Sequence, residues 1–110
     1  MKDKLEAMLA AGQDNPMLRF SLGNACLKDG DADAAATHFR AAVEQDAGYS
    51  AAWKLLGRAL LEGGQAESAR RAWEEGLNVA RGRGDMQVAR ELEVFLKRLS
   101  RETGPREIDP

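Results

Sequence analysis

The sequence predicts an all-α protein built as an array of antiparallel helix pairs, an α-solenoid, that ends in a C-terminal capping helix. The main observation is a period of 34, because residues 16–49 and 50–83 are two copies of one unit. Apolar and small residues recur at matching places, as in Leu22/Leu56. A period of this length is typical of stacked helix–turn–helix repeats. The composition, with 44% hydrophobic residues, 31% charged residues and three prolines, also suits a folded helical chain.

Residues with helix-capping preferences bound the predicted helices. Asn15 followed by Pro16 predicts a helix start, because asparagine accepts hydrogen bonds from the first turn and proline is tolerated there. Gly30 predicts a helix stop. Ser50 is expected to cap the first helix of the second unit, which turns at Gly63 and Gly64. The predicted helices are 2–11, 16–29, 32–46, 50–62, 65–81 and 86–102.

The spacing of apolar residues predicts the structure of the two terminal segments. Residues 2–11 carry Leu5, Met8 and Leu9 at helical spacing, which predicts a short helix over one end of the array. Residues 104–110 contain two prolines and show no apolar period, which predicts a disordered tail.

The helix over 86–102 is predicted to cap the other end of the array. Its apolar residues form one stripe. If the register of the two units continued, Arg90 and Glu91 would occupy the buried Leu-Gly places, and two charges would be buried. We therefore expect the array to end here, in a single domain over 1–103. The stripe consists of Val88, Leu92, Phe95, Leu96 and Leu99.

A more specific pattern consists of Leu22, Gly23, Ala35, Phe39, Ala42, Trp53, Leu56, Gly57, Ala69 and Trp73. At these positions the chain resembles the tetratricopeptide repeat family, fully over 16–83. The resemblance implies a right-handed superhelix in which the small residues let neighbouring helix backbones approach closely. Arg19 departs from the pattern, because it stands where the second unit has Trp53. We expect its stem to lie on the core and its head in water.

In this family the first helix of each pair lines a concave groove that binds peptides or protein segments. Lys54 and Arg58, four residues apart beside Asn24, would suit an extended or helical segment with an acidic group or a free carboxylate. Two alternatives stay open: the cations are an ordinary solvated face, and the apolar groove residues are core under the N-terminal helix. The groove residues implied by the register are Met17, Phe20, Asn24, Leu27 and Lys28, then Ala51, Lys54, Arg58, Leu61 and Glu62.

One subtype of the family grips the acidic C-termini of heat-shock chaperones with five polar groove residues. Asn24 matches one of those places. Phe20, Leu55, Asp85 and Ala89 stand in the other four. The resemblance therefore does not extend to this carboxylate clamp.

Charge and residue chemistry argue against nucleic-acid binding and catalysis. The formal net charge is −2, and no basic stripe stands out that would bind phosphates. Cys26 is the only cysteine and His38 the only histidine, so cysteine clusters and two-histidine metal sites are excluded. No acid–base pair or phosphate loop is recognisable. We expect a protein that is not an enzyme and uses no cofactor.

Two functions fit this sequence. The first is an adaptor or scaffold, a monomer or weak homodimer, that binds a protein segment in the groove. The second is a structural module that forms homo-oligomers through an end helix, and a bare apolar stripe on that helix would favour it. The charged N-terminus and the lack of a long apolar stretch predict a cytoplasmic protein without a membrane partner.

Overall fold

The computed structural model describes residues 2–103, which fold into six α-helices and contain no strand within that range. Over these residues the predicted all-α class is confirmed. The prediction of a disordered tail over 104–110 lies outside the described residues. The helices are α1 (Lys2–Ala10), α2 (Pro16–Lys28), α3 (Ala32–Gln45), α4 (Ser50–Glu62), α5 (Ala66–Arg83) and α6 (Met86–Thr103).

Capping side chains or left-handed glycines lie at several of the helix ends. The Oδ1 atom of Asn15 accepts a hydrogen bond from the Leu18 N–H at 2.8 Å, at the start of α2. Gly30, Gly64 and Gly84 have φ values of 78°, 83° and 78°, a conformation that costs a glycine little. The helices therefore stop at the turns that separate the members of the array.

The prediction that Ser50 caps α4 is wrong. The N-cap residue is Tyr49, which makes no side-chain capping bond, and Ser50 is the first residue of the helix. The buried Ser50 hydroxyl instead donates to Oδ2 of Asp85 at 2.7 Å. This hydrogen bond joins the start of α4 to the turn before α6.

An aromatic ring lies against a glycine in each helix pair. A Cβ atom added at Gly23 would lie within 2.7 Å of the Phe39 ring, and one added at Gly57 would overlap the Trp73 indole. Trp73 also donates its Nε1 hydrogen to the carbonyl of Lys54 at 2.9 Å. The resemblance implied that small residues let the backbones approach and that Phe39 or Trp73 fills the space between the helices of a pair. The structure places these two rings against Gly23 and Gly57.

Arg19 is held by hydrogen bonds, contrary to the expectation that its head lies in water. Its guanidinium donates to both carboxylate oxygens of Asp14, at 2.8 and 3.0 Å, and lies 3.1 Å from Nδ1 of His38. The side-chain amide of Gln45 donates to the same carboxylate at 2.8 Å. These bonds hold the pKa of Asp14 at about 2. The turn after α1 is thus tied to both α2 and α3.

The apolar stripe of α6 packs against α5. Leu92 and Leu99 are buried with Trp73 in one cluster, and the other stripe residues are partly buried against it. The predicted register slip agrees with the positions of the two charges, because Arg90 is exposed and Glu91 is half-buried. The stripe therefore packs against α5, with Leu92 and Leu99 buried and Val88, Phe95 and Leu96 partly exposed.

We predict that Gly57→Leu lowers the melting temperature by at least about 5 °C, because the new side chain would displace the Trp73 indole and such overpacking costs about 1–3 kcal/mol or more. Thermal unfolding followed by circular dichroism measures this. Gly82→Leu is the control, since Gly82 lies in α5 with no atom within 4 Å of an added Cβ. A Gly57→Leu variant that melts with its parent would contradict the packing.

Candidate partner-binding groove

The apolar residues that the resemblance assigned to the groove on α2 differ in their exposure. Met17 is 73% exposed. Phe20 is partly buried, with its ring centroid 4.9 Å from that of Tyr49 and 5.7 Å from that of Phe39. Leu27 also packs against the core. Phe20 and Leu27 are therefore packed against the core, and Phe20 contacts the rings of Tyr49 and Phe39. Met17 is open to solvent.

The polar groove residues of α2 face the N-terminal helix. Asn24 and Lys28 line a cavity of about 830 Å³ together with Lys2 and Leu5 of α1. An ion pair between Nζ of Lys2 and Oδ2 of Asp29, at 3.0 Å, closes one side of this space. α1 thus borders the groove on the α2 side.

Lys54 on α4 is already paired. Its Nζ atom lies 2.8 Å from Oε1 of Glu91 on α6, and both side chains are partly exposed. The hydrogen bond from Lys54 lowers the pKa of the Glu91 carboxyl. A partner's acidic group would therefore compete for Lys54 with Glu91, in an ion pair that links α4 to α6.

Three further groove residues of α4, Arg58, Leu61 and Glu62, line a cavity between α4 and α6. This α4–α6 cavity has a volume of about 330 Å³. Its apolar wall includes Trp73 and Phe95, whose ring centroids are 5.3 Å apart. The side chain of Leu61 is 36% exposed at its edge. The lining residues are Arg58, Leu61, Glu62, Trp73, Phe95, Arg98, Leu99 and Glu102.

The rim of the α4–α6 cavity has one cation without a partner among residues 2–103. Nε of Arg58 lies 3.1 Å from Oε2 of Glu62, so its charge is partly satisfied within α4. No hydrogen bond or ion pair to another described residue engages Arg98, on the opposite side. An entering carboxylate would find an available guanidinium at Arg98.

The ten residues assigned to the groove thus do not form one site, and Ala51 lines a separate recess beside Ser50 and Asp85. Arg58, Leu61 and Glu62 meet in the α4–α6 cavity, whereas the α2 residues face α1, the core or solvent. Phe95, Arg98 and Leu99 are missing from the sequence-based groove, because the sequence predicts their segment only as a capping helix. The signal was available, since α6 follows α5 at the place where the first helix of a third unit would begin.

Three further observations concern a reactive thiol, metal binding and membrane spanning. Burial raises the pKa of the Cys26 thiol, which is 1% exposed, and this disfavours a reactive thiolate. Among residues 2–103 no three His, Cys, Asp or Glu side chains are placed to hold a metal ion. None of the helices in that range has the length and apolar character needed to cross a bilayer.

Comparisons with known proteins agree with the repeat architecture. A family model described as tetratricopeptide repeat matches residues 26–90. The TPR repeat-containing protein PA0015 of Pseudomonas aeruginosa is 52% identical over 101 residues, which are 92% of this chain and 96% of that protein. The solution structure of protein BPP2914 from Bordetella parapertussis is 52% identical, with a TM-score of 0.80, and the match covers 93% of this chain and 89% of that one.

We predict that Lys54→Glu destabilises the protein by about 1 kcal/mol, because the new carboxylate would face Glu91. The double variant Lys54→Glu with Glu91→Lys should recover most of the loss, since it restores an ion pair in the reverse sense. Urea unfolding of the three proteins decides this. Equal losses in the single and double variants would contradict a direct pair.

Proposed function

Because the chain belongs to the tetratricopeptide repeat family, we propose that it is a non-catalytic adaptor or scaffold that binds a segment of another protein in the α4–α6 cavity. The observation that carries the proposal is the cavity itself, an apolar recess of about 330 Å³ with charged residues at its rim. Recesses of roughly 300 Å³ and above, with a few placed polar groups, are typical of binding sites.

The chemistry of the cavity defines the partner segment. Trp73, Phe95 and Leu99 offer an apolar surface for one large aliphatic or aromatic side chain, the kind of anchor that dominates binding energy. Arg98 offers a charge-assisted hydrogen bond to a carboxylate beside that anchor. The proposed ligand is therefore an apolar residue flanked by Asp, Glu or a C-terminal carboxylate.

The α2 side of the groove would extend this contact. Met17, with 73% of its surface exposed, offers a flexible apolar side chain that can adapt to a partner. Asn24 and Lys28 offer hydrogen-bond donors next to the cavity beside α1. Their role as partner contacts stays a prediction, as does a cytoplasmic location.

The alternative of a structural module that self-associates through an end helix has less support. A bare apolar stripe on α6 would favour it, whereas this stripe packs against α5. Leu92 and Leu99 of the stripe are each at most 2% exposed. We therefore favour groove binding.

Catalysis is not part of the proposal. The Cys26 thiol is buried, and Nδ1 of His38 is 3.1 Å from the Arg19 guanidinium. Burial and the nearby Arg19 both lower the pKa of His38. Within residues 2–103 no hydrogen bond joins these two side chains, as one would join a nucleophile and its base.

To test the proposal, peptides that bind the full chain would be selected from a displayed library, and their affinities measured by calorimetry. We predict that Leu61→Asp and Arg98→Glu each weaken binding by about tenfold or more, because one blocks the apolar anchor and the other removes a charge-assisted bond. Arg71→Glu on α5 is the matched control, since its side chain is 75% exposed outside the cavity.

Selected peptides that carry an apolar residue beside an acidic one would support the proposal. The proposal fails if the selected peptides bind all three variants alike. It also fails if wild-type protein sediments as a dimer whose contact covers Leu61 and Arg98.

A further inference from the structure

The outer face of α6 points away from the rest of the array. It consists of residues at helical spacing on the side opposite the buried Ala89, Leu92 and Leu99. The two apolar members, Met86 and Val94, are 49% and 50% exposed. The face is made of Met86, Arg90, Val94, Lys97 and Arg101.

The cations of this face have no partner within the described part of the chain. No hydrogen bond or ion pair to any of residues 2–103 engages Arg90, Lys97 or Arg101. The neighbouring helix differs, because three of the four arginines of α5 form ion pairs: Arg70, Arg71 and Arg81. Unpaired cations are therefore more frequent on α6 than on the neighbouring α5.

The carboxylates of α6 nearest to the face are used elsewhere. Glu91 pairs with Lys54 of α4, and Glu93 pairs with Arg81 of α5 at 2.6 Å. In both ion pairs the carboxylate contacts a basic side chain of another helix, α4 or α5, instead of the cations of the outer face. The outer face therefore carries unpaired positive charge and two half-exposed apolar side chains. A surface that contacts only solvent does not need this combination.

We propose that the outer face of α6 docks an acidic amphipathic helix of a partner protein. Arg90 and Lys97 are about 10 Å apart along the helix axis, and Lys97 and Arg101 about 6 Å. A partner helix with carboxylates at spacings of seven and four residues would meet all three cations, while its apolar residues pack on Met86 and Val94. This face is separate from the α4–α6 cavity, so the two sites can be occupied at once.

Charge complementarity selects this occupant over the others. A second copy docked face to face by a two-fold axis would bring like charges together. Duplex nucleic acid usually binds proteins with a concentrated basic surface, whereas this chain has a net charge of −2. An acidic helix satisfies the three cations and covers the two apolar side chains.

The probe for this surface is a synthetic helical peptide with glutamates at the matching spacing and leucines between them. We predict that it perturbs backbone amide resonances of residues 86–101 in the full-length chain and that its affinity falls as salt rises. Replacing Arg90, Lys97 and Arg101 by glutamate should weaken binding by about tenfold or more. Val94→Gln should weaken it by about threefold through lost apolar contact.

The matched control reverses three exposed cations elsewhere, Lys4, Arg40 and Arg71, and should change the affinity by less than about twofold. Equal binding by the two triple variants would overturn the proposal. So would tighter binding to duplex DNA or to anionic vesicles than to the peptide, or perturbations confined to Arg58, Leu61 and Glu62 of the α4–α6 cavity. The last outcome would leave the α4–α6 cavity as a site for acidic segments.

Discussion

The packing of an aromatic ring against a glycine sets the distance between the two helices of each pair, and the rest of the molecule depends on that distance. In the second pair the contact is reciprocal: Trp73 of α5 lies against Gly57 of α4, and a Cβ at Gly76 of α5 would lie 2.7 Å from Cβ of Trp53 on α4. A side chain at Gly57 would displace the Trp73 indole, and one at Gly76 would push α5 away from the Cβ of Trp53 on α4. The helix pair is thus fixed by two residues that have no side chain.

The same indole joins the fold to the candidate site. Trp73 donates a hydrogen bond to the Lys54 carbonyl, packs against Phe95 and lines the α4–α6 cavity. The ion pair between Lys54 and Glu91 provides a second link between α4 and α6. α6 consequently has three functions in this account: it covers the core, walls the cavity and presents a basic outer face. A single terminal helix thus supplies the cap that a repeat array needs and two further surfaces.

The sequence predicts the helices well because their signals are local or periodic. The repeat places Gly23, Gly57, Phe39 and Trp73, and helix stops such as Gly30 depend only on their neighbours. Pairings between distant residues carry no such signal. Ser50 is a residue type that favours the N-cap, yet its hydroxyl donates a hydrogen bond to Asp85. The sequence around Lys54 is that of a solvated cation, yet Lys54 pairs with Glu91 of another helix. For the same reason the groove derived by register joined residues that face different elements.

The most direct test of the account is a double-mutant cycle between Gly57 and Trp73, measured as free energies of unfolding in guanidinium chloride. If the indole is what excludes a side chain at position 57, Gly57→Ala should destabilise the parent but cost much less in a Trp73→Leu background. We expect an interaction free energy of at least about 1 kcal/mol. Costs that add within about 0.5 kcal/mol would show that the ring and the glycine are not coupled, and would contradict the packing on which the α4–α6 cavity depends.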